Sequence, residues 1–266
     1  MMPLFHTETC GNPGKPPLLM LHGFMGRGAA FGPVIPFLED HFYLVMPDLP
    51  GHGNSLFSTL PAAARPQNFA QVGEMVLQVM DGLHLESFFL YGYSMGGRVA
   101  QQVCLLAPER VSHLFLESAG LGIADASERQ TRKAKDDMLL AGILGPADFH
   151  RFLVQWHRMP LFCTLTDASL ISGLMASKQK NDVSELRQAL KIMGTGNHDA
   201  FGPSLAGLNL PITYLYGEKD KKYVKEAAAA KAMIPGLRLS PFPRGSHNLH
   251  IQFPAKVAEV FKMAIN

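Results

Sequence analysis

Short apolar runs alternate with helical patterns along the first 120 residues of the chain. The runs lie at 18–21, 42–46, 88–91 and 111–116, and each ends in polar or glycine-containing turn residues. Continuous runs of this length are typical of strands that are buried on both faces of a parallel sheet. The segments between them predict helices at about 28–39, 68–83 and 95–107, and residues 4–10 are a candidate N-terminal edge strand.

The pattern changes at 121–205, where polar helical segments follow one another without a buried strand. These segments lie at 127–140, 146–156, 167–178 and 182–193. Alternation resumes with apolar runs at 212–216 and 237–242 and helices near 221–234 and 254–264. Strands that alternate with helices predict an α/β fold with a mostly parallel sheet. We therefore predict one α/β core, formed by 1–120 and 206–266, that is interrupted by a helical cap at 121–205.

The composition of the chain limits which kinds of molecule it is expected to bind. The chain has 266 residues, is 47% hydrophobic and carries a net charge of +2, which allows one large domain and does not suggest a nucleic-acid partner. It has no apolar stretch of the roughly 18 residues that a membrane span needs, and its N-terminus lacks the pattern of a signal peptide. Cys10, Cys104 and Cys163 form no C-x-x-C pair, so neither a disulfide framework nor a zinc site is expected. A cytoplasmic monomer or small homo-oligomer fits these features.

The sequence G-Y-S-M-G-G at 92–97 follows an apolar run and leads into a helical pattern. A strand, a G-x-S-x-G turn and a helix in this order indicate a nucleophile elbow. A Cβ atom at Gly92 or Gly96 would clash in so tight a turn. Ser94 is therefore the predicted nucleophile or base, at a helix N-terminus that favours developing negative charge. A helix-capping serine in a glycine-rich turn is the alternative.

A serine hydroxyl needs a neighbouring base to take its proton. On this topology an acid and then a histidine follow the serine along the chain. Asp220, just past an apolar run, is the predicted acid, and Glu218 is the alternative. His247 follows the last apolar run and is the predicted base. His250 competes for that role but falls where the last helix would begin.

Two further loops belong to the same edge of the predicted sheet. The H-G-F-M-G turn at 22–26 follows the strand expected beside the elbow strand, so the backbone N–H groups of Phe24 and Met95 are predicted to form an oxyanion hole. His22 itself is interpreted as a structural histidine that bonds nearby backbone. The D-L-P-G-H-G-N-S motif at 48–55 is interpreted as a tight loop whose acid and histidine are structural, because a complete triad is present elsewhere.

These motifs together resemble the α/β-hydrolase superfamily over nearly the whole chain. The motifs are H-G-F-x-G, D-L-P-G-H-G-x-S, G-Y-S-M-G-G, G-E-x-D and a late G-x-H. A narrower set resembles the family of 2-succinyl-6-hydroxy-2,4-cyclohexadiene-1-carboxylate (SHCHC) synthases of menaquinone biosynthesis. That set comprises G-Y-S-M-G-G-R-V-A at 92–100, E-R-Q-x-R at 128–132 with Asp136, W-x-x-x-P-x-F at 156–162, M-G-T-G at 193–196, G-E-K-D-K-K-Y at 217–223 and H-N-x-H at 247–250.

The resemblance implies a lyase that removes pyruvate from an enolpyruvyl cyclohexene precursor with three carboxylates. Ser94 and His247 would abstract the proton, Asp220 would orient His247, and no acyl-enzyme would form. No metal or cofactor is implied. A carboxylesterase or thioesterase of the same fold is the first alternative, and a non-catalytic ligand-binding homologue is a remote one, because the predicted triad is intact.

Cationic residues also favour an anionic ligand. Arg98 lies in the first helical turn after Ser94, where a cation is unfavourable by about 0.3–1 kcal/mol because it opposes the helix dipole. Two roles are open for Arg98: it binds a carboxylate of the substrate, or it forms a structural salt bridge. Arg129 and Arg132 are three apart on one face of the first cap helix, and a solvated face is their alternative role. Arginine forks suit carboxylates, and the resemblance aligns Arg98 and Arg132 with substrate-binding arginines.

Two positions depart from the pattern of the SHCHC-synthase family. Lys178 stands where that family commonly has arginine. Lysine keeps the positive charge but lacks the planar guanidinium group that can donate two hydrogen bonds to one carboxylate. The sequence Gly-Ser-His at 245–247 replaces the usual Ala-Gly-His and could shift the loop of the base. Tyr93 and Trp156 complete the predicted substrate-binding set.

Overall fold

A seven-stranded sheet forms the centre of the computed structural model, which describes residues 5–265. Its strands are Thr7–Cys10 (β1), Pro17–Leu21 (β2), Tyr43–Pro47 (β3), Phe88–Tyr93 (β4), Val111–Glu117 (β5), Ile212–Gly217 (β6) and Arg238–Phe242 (β7). They are ordered β1-β3-β2-β4-β5-β6-β7, and only the edge pair β1–β3 is antiparallel. The apolar runs therefore correspond to strands as predicted. The first residue of the candidate edge strand at 4–10 lies outside the described residues.

Helices cover both faces of this sheet. They are Phe69–Gly82 (α1), Met95–Leu106 (α2), Ala126–Leu139 (α3), Pro146–His157 (α4), Ala168–Gln179 (α5), Val183–Met193 (α6), Gly202–Ala206 (α7), Lys221–Met233 (α8), Leu249–Gln252 (α9) and Pro254–Lys262 (α10). Side chains alternate between the faces along a strand. In β4, Leu90 packs into a core with α1, α2 and α8, whereas Tyr91 packs into a second core with α9 and α10. This two-sided burial explains the continuous apolar runs.

The predicted helix at 28–39 is wrong. The segment instead forms two short 3₁₀ turns, Gly28–Phe31 and Ile35–Phe37. Pro33 and Pro36 lack the N–H that an α-helix needs and disfavour the helical conformation of the residue before them.

Helices α3 to α7 all lie between β5 and β6, as the predicted insertion requires. Helices α3 to α6 share a small apolar core with the loop after β2, in which Met25 packs with Phe149, Leu153 and Leu186, whereas Leu205 of α7 packs into the core of the sheet. The predicted fold class, a mostly parallel sheet flanked by helices with an inserted helical cap, is confirmed. The bounds 1–120, 121–205 and 206–266 stay a prediction. Across residues 5–265, every helix is too short or too polar to cross a membrane.

Candidate active site

Ser94 occupies a strained turn between β4 and α2. Its backbone has φ 53° and ψ −111°, in a region that L-residues adopt at a cost of about 1–3 kcal/mol. A Cβ atom at Gly92 would lie 2.5 Å from Cα and 2.7 Å from N of Gly97, so only glycine lets the strand approach the helix this closely. The turn is held by the Ser94 amide, which donates to the carbonyl of Glu117 at 2.9 Å. The serine side chain is thereby fixed at the carboxyl edge of the sheet.

Three of the predicted site residues form one hydrogen-bonded chain at this edge. Oγ of Ser94 lies 3.1 Å from Nε2 of His247, and Nδ1 of His247 lies 3.1 Å from Oδ2 of Asp220. The serine follows β4, the acid follows β6, and the histidine follows β7. The alternative acid Glu218 is exposed, and within the described residues its carboxylate is not a partner of His247. The geometry therefore favours Asp220.

Burial and charge act in opposite directions on His247. Desolvation lowers the pKa of His247 below 6.5, while the hydrogen bond and charge of Asp220, and more weakly the charge of Glu117, raise it. The imidazole is consequently neutral near pH 7. With its Nδ1–H directed to Asp220, it presents the Nε2 lone pair to the serine hydroxyl, which is the state that a general base requires.

The turn after β2 lies directly against Ser94. A Cβ atom at Gly23 would be 3.4 Å from Cβ of Ser94. The Gly23 carbonyl accepts hydrogen bonds from Nδ1 of His22 and from the amide of Gly26, both at 2.9 Å. Because C=O and N–H of a trans peptide point in opposite directions, these two bonds also fix the direction of the Phe24 N–H.

His22 is structural, as predicted. Its Nε2 accepts from the amide of Leu49 at 2.9 Å, and burial lowers the pKa of His22 to about 4, which keeps the ring neutral. Across residues 5–265, the amides of Phe24 and Met95 donate to no protein acceptor. Both N–H groups are therefore available to stabilise negative charge, and their role as an oxyanion hole remains a proposal.

The loop at 48–55 is also structural. The carboxylate of Asp48 accepts from the amides of Gly28 at 2.7 Å and Asn54 at 2.8 Å, so it ties neighbouring loops together. The ring of His52 bonds the carbonyl of Pro50 at 3.0 Å and is fully buried. Neither residue is hydrogen-bonded to Ser94 or His247, in agreement with the sequence interpretation.

A buried carboxylate that sequence analysis did not assign lies behind the triad. Glu117, the last residue of β5, accepts from Nδ1 of His250 at 2.7 Å, the amide of Leu249 at 2.9 Å and the hydroxyl of Tyr91 at 2.7 Å. His250, the competing base, is thus bound to Glu117 rather than to Ser94. The available signal was a carboxylate that ends an otherwise apolar run.

Arg98 is buried beside the nucleophile without an acidic partner. Its Nη2 donates to the carbonyl of Met193 at 2.9 Å, and within the described part of the chain it makes no ion pair. Arg132 and Asp136 are near enough to act on its pKa, which burial lowers to about 10. The guanidinium is still charged at neutral pH, and its Nε carries no hydrogen bond among the described residues.

The two cap arginines serve different contacts. Nε of Arg132 bonds Oδ1 of Asp136 at 2.8 Å, in the region of Arg98. Arg129 instead donates to the carbonyls of Ile123 and Ala124 and lies 3.2 Å from Asp199. The two guanidinium groups therefore have different partners, and that of Arg129 is bound to other residues of the cap.

The remaining predicted ligand residues contact the turn after β2 or the histidine of the triad. Nζ of Lys178 lies 3.4 Å from the carbonyl of Phe24, and desolvation lowers the pKa of Lys178 to about 8. The ring of Trp156 packs edge-on against Phe24, with 6.0 Å between centroids. Tyr93 donates to Oδ1 of Asn248 at 2.6 Å, and its ring contacts His247. No three His, Cys, Asp or Glu side chains within 5–265 are grouped as a metal site would require.

Comparison with known proteins shows what the chain is similar to. Residues 16–254 match the alpha/beta hydrolase fold family. A 2-succinyl-6-hydroxy-2,4-cyclohexadiene-1-carboxylate synthase from Klebsiella pneumoniae is 31% identical over 254 residues, which cover 93% of this chain and 92% of that protein. The enzyme of the same name from Yersinia pseudotuberculosis is 28% identical over 244 residues, covering 91% and 85%.

Among solved structures, MenH from S. aureus superimposes with a TM-score of 0.86 at 25% identity. The superposition covers 98% of this chain and 99% of that one, so it includes the cap as well as the sheet.

Proposed function

The chain belongs to the α/β-hydrolase fold family, and from that premise we propose that it is an SHCHC synthase, a carbon–oxygen lyase of menaquinone biosynthesis. Its substrate would be an enolpyruvyl cyclohexene with three carboxylates, and its products SHCHC and pyruvate. The names of its relatives and their coverage of both the core and the cap support this assignment. We place the activity in the cytoplasm, with which the free thiols of Cys10, Cys104 and Cys163 are compatible.

The proposed reaction is an elimination initiated by proton abstraction. His247 draws the proton from Ser94, and the serine oxygen removes a proton from the ring. The C–H electron pair becomes part of the new diene, and the C–O bond to the enolpyruvyl group breaks. The leaving group departs as the enolate of pyruvate and takes up the proton that His247 holds, which restores the neutral imidazole. No acyl-enzyme is needed.

Negative charge develops during this elimination on the succinyl carbonyl beside the abstracted proton. The amides of Phe24 and Met95, which donate to no acceptor within residues 5–265, are suited to stabilise that charge. One such donor typically contributes about 2.7–4 kcal/mol to transition-state stabilisation. Asp220 keeps His247 in the tautomer that accepts the proton.

The observation that carries the proposal is the charge state around Arg98. This buried guanidinium lies one helical turn beyond Ser94 and has no ion-pair partner among the described residues. Burying a charge without an ion pair is costly, so an anionic ligand would stabilise this guanidinium. Arg132, which is paired with Asp136, and Lys178, which lies beside the Phe24 carbonyl, are further cations for a ligand with several carboxylates. A small neutral ester would not supply this stabilisation.

A coupled assay for pyruvate release from the enolpyruvyl cyclohexene precursor tests the assignment. We expect steady turnover without a burst, and its loss in Ser94→Ala. Turnover of simple acyl or thioacyl esters with a burst, and no pyruvate release, would support the esterase alternative and contradict the lyase. Substrate binding without turnover in the unmodified protein, retained in Ser94→Ala, would support a non-catalytic homologue.

A further inference from the structure

We propose that Asn181, in the turn between cap helices α5 and α6, is a positioning residue for the oxyanion hole. This inference rests on the proposed role of the Phe24 amide but not on the identity of the substrate. It assigns the cap a second task besides covering the ligand: the cap would hold the loop that stabilises the transition state.

Asn181 joins three segments through its side-chain amide and is 8% exposed. Nδ2 donates to the carbonyl of Met25 at 3.1 Å and to that of Lys178 at 3.0 Å, and Oδ1 accepts from the amide of Gly53 at 3.2 Å. Every polar atom of the amide is therefore used. The cap, the turn after β2 and the loop after β3 meet at this one side chain.

The turn that Asn181 holds is conformationally strained. The hydrogen bond from the Gly26 amide to the Gly23 carbonyl closes a β-turn with Phe24 and Met25 at its centre. Met25 has φ 61° in this turn, at a position with positive φ where glycine or asparagine is normally required. A non-glycine residue in this conformation costs roughly 1–3 kcal/mol. The bond from Asn181 to the Met25 carbonyl helps to offset that cost.

Other contacts from the same cap segment reach the same turn. Lys178 approaches the Phe24 carbonyl, and Nη2 of Arg27 donates to the carbonyl of Ser177 at 3.1 Å. The peptide groups on both sides of Met25 are thus held by residues of the cap. If the Asn181 bond is lost, Met25 can relax towards negative φ. The Gly26 amide, which follows Met25, then draws away from the Gly23 carbonyl. The Gly23–Phe24 peptide, which carries the Phe24 N–H, loses one of the two hydrogen bonds that fix its direction beside Ser94.

The chain supplies a matched control four residues further on. Glu185 is also a buried residue of the cap that bonds the core: its carboxylate accepts from the amides of Phe57 at 2.6 Å and Ser58 at 3.1 Å. These partners do not belong to the turn after β2. Asn181→Ala and Glu185→Ala therefore both remove buried hydrogen bonds between cap and core. Only Asn181→Ala removes a hydrogen bond to the turn after β2, which carries the Phe24 amide.

Pyruvate release and thermal unfolding should be measured for both variants. We expect both to lose stability, while kcat falls roughly 10- to 100-fold in Asn181→Ala only, with KM changed less than threefold. The second-order rate constant for phosphorylation of Ser94 by diisopropyl fluorophosphate should fall by a similar factor. In that reaction Ser94 Oγ bonds phosphorus, fluoride leaves, the serine proton passes to His247, and the phosphoryl oxygen occupies the oxyanion hole.

Substitution of Met25 gives an independent test by a double-mutant cycle. Glycine tolerates positive φ, so Asn181→Ala should reduce kcat by less than threefold when introduced into Met25→Gly. Equal losses of kcat in Asn181→Ala and Glu185→Ala, or an unchanged effect of Asn181→Ala on the Met25→Gly background, would overturn the proposal. Normal phosphorylation of the unmodified protein by diisopropyl fluorophosphate without any pyruvate release would contradict the proposed lyase activity and leave the Asn181 test intact.

Discussion

Oε1 of Glu117 lies 2.7 Å from Nδ1 of His250, and both side chains are buried behind the loop that carries His247. The same carboxylate raises the pKa of His247. We therefore expect Glu117→Gln to lower kcat by about tenfold, since a 1 Å displacement can cost up to about 10²-fold. It should also shift the acid limb of kcat/KM, which is expected below pH 6.5 in the unmodified enzyme, to still lower pH.

The shift in the acid limb of kcat/KM in Glu117→Gln distinguishes an electrostatic effect on His247 from a loss of protein stability, which would not change the pKa of His247. Glu259→Gln, which removes an exposed carboxylate from α10, is the control and should leave both kcat and the acid limb unchanged. An acid limb that moves upward in Glu117→Gln would show that this carboxylate does not favour the protonated form of His247.

Asp220→Asn is expected to reduce kcat by roughly 10³–10⁴-fold, because the imidazole would lose both its orientation and the stabilisation of its cation. Pyruvate release at saturating substrate measures the effect. Glu218→Gln changes the exposed acid of the same turn and should keep normal turnover. The opposite pattern would assign the triad acid to Glu218.

Arg98→Lys should raise KM for the poly-carboxylate substrate by roughly 10- to 100-fold, in line with about 1.5–3 kcal/mol for a charged hydrogen bond. Lysine retains the charge but cannot replace the fork. Arg110→Lys is a control, since Arg110 pairs with Asp81 and with carbonyls at the other end of the sheet. An unchanged KM in Arg98→Lys would exclude a carboxylate clamp at this position.

The lowered pKa of Lys178 predicts that kcat/KM falls at alkaline pH. At a pKa of about 8 its ammonium loses the proton as pH rises through that value, and attraction for an anionic substrate falls with it. We expect kcat/KM to decline above pH 8 and the decline to move at least one pH unit higher in Lys178→Arg, since arginine stays charged. The exposed neighbour Lys180 provides the control, Lys180→Arg. An alkaline decline of kcat/KM at the same pH in the unmodified protein and in both variants would show that Lys178 does not bind the substrate.

The positions of the main strands and of the turns that carry Ser94, Asp220 and His247 could be predicted because a doubly covered parallel sheet leaves a strong local signal. The segment at 28–37 forms 3₁₀ turns and not the predicted helix, because Pro33 and Pro36 oppose the α-helix that its apolar content favours. Arg129 and Arg132 share a helix face in sequence, yet long side chains let them reach different partners.

Residues whose roles depend on distant partners were not accessible from the sequence. Glu117 bonds His250, which is 133 positions away, and Asn181 bonds Met25, which is 156 positions away. A single polar residue gives no local pattern from which such a partner can be chosen. Only the folded chain reveals that these side chains are buried and fully hydrogen-bonded.

The cap enters and leaves the core between β5 and β6, while Ser94, Asp220 and His247 all belong to the core. An insertion at one point of the chain can be exchanged during evolution without changing the residues of the triad, and each exchange can admit new substrates. Asn181 restricts that freedom, because it is the cap residue that holds the strained Met25 carbonyl. A foreign cap transplanted onto this core would need to supply an equivalent donor, or the turn would need glycine in place of Met25. Substrate range and catalytic rate are therefore expected to evolve together in this protein.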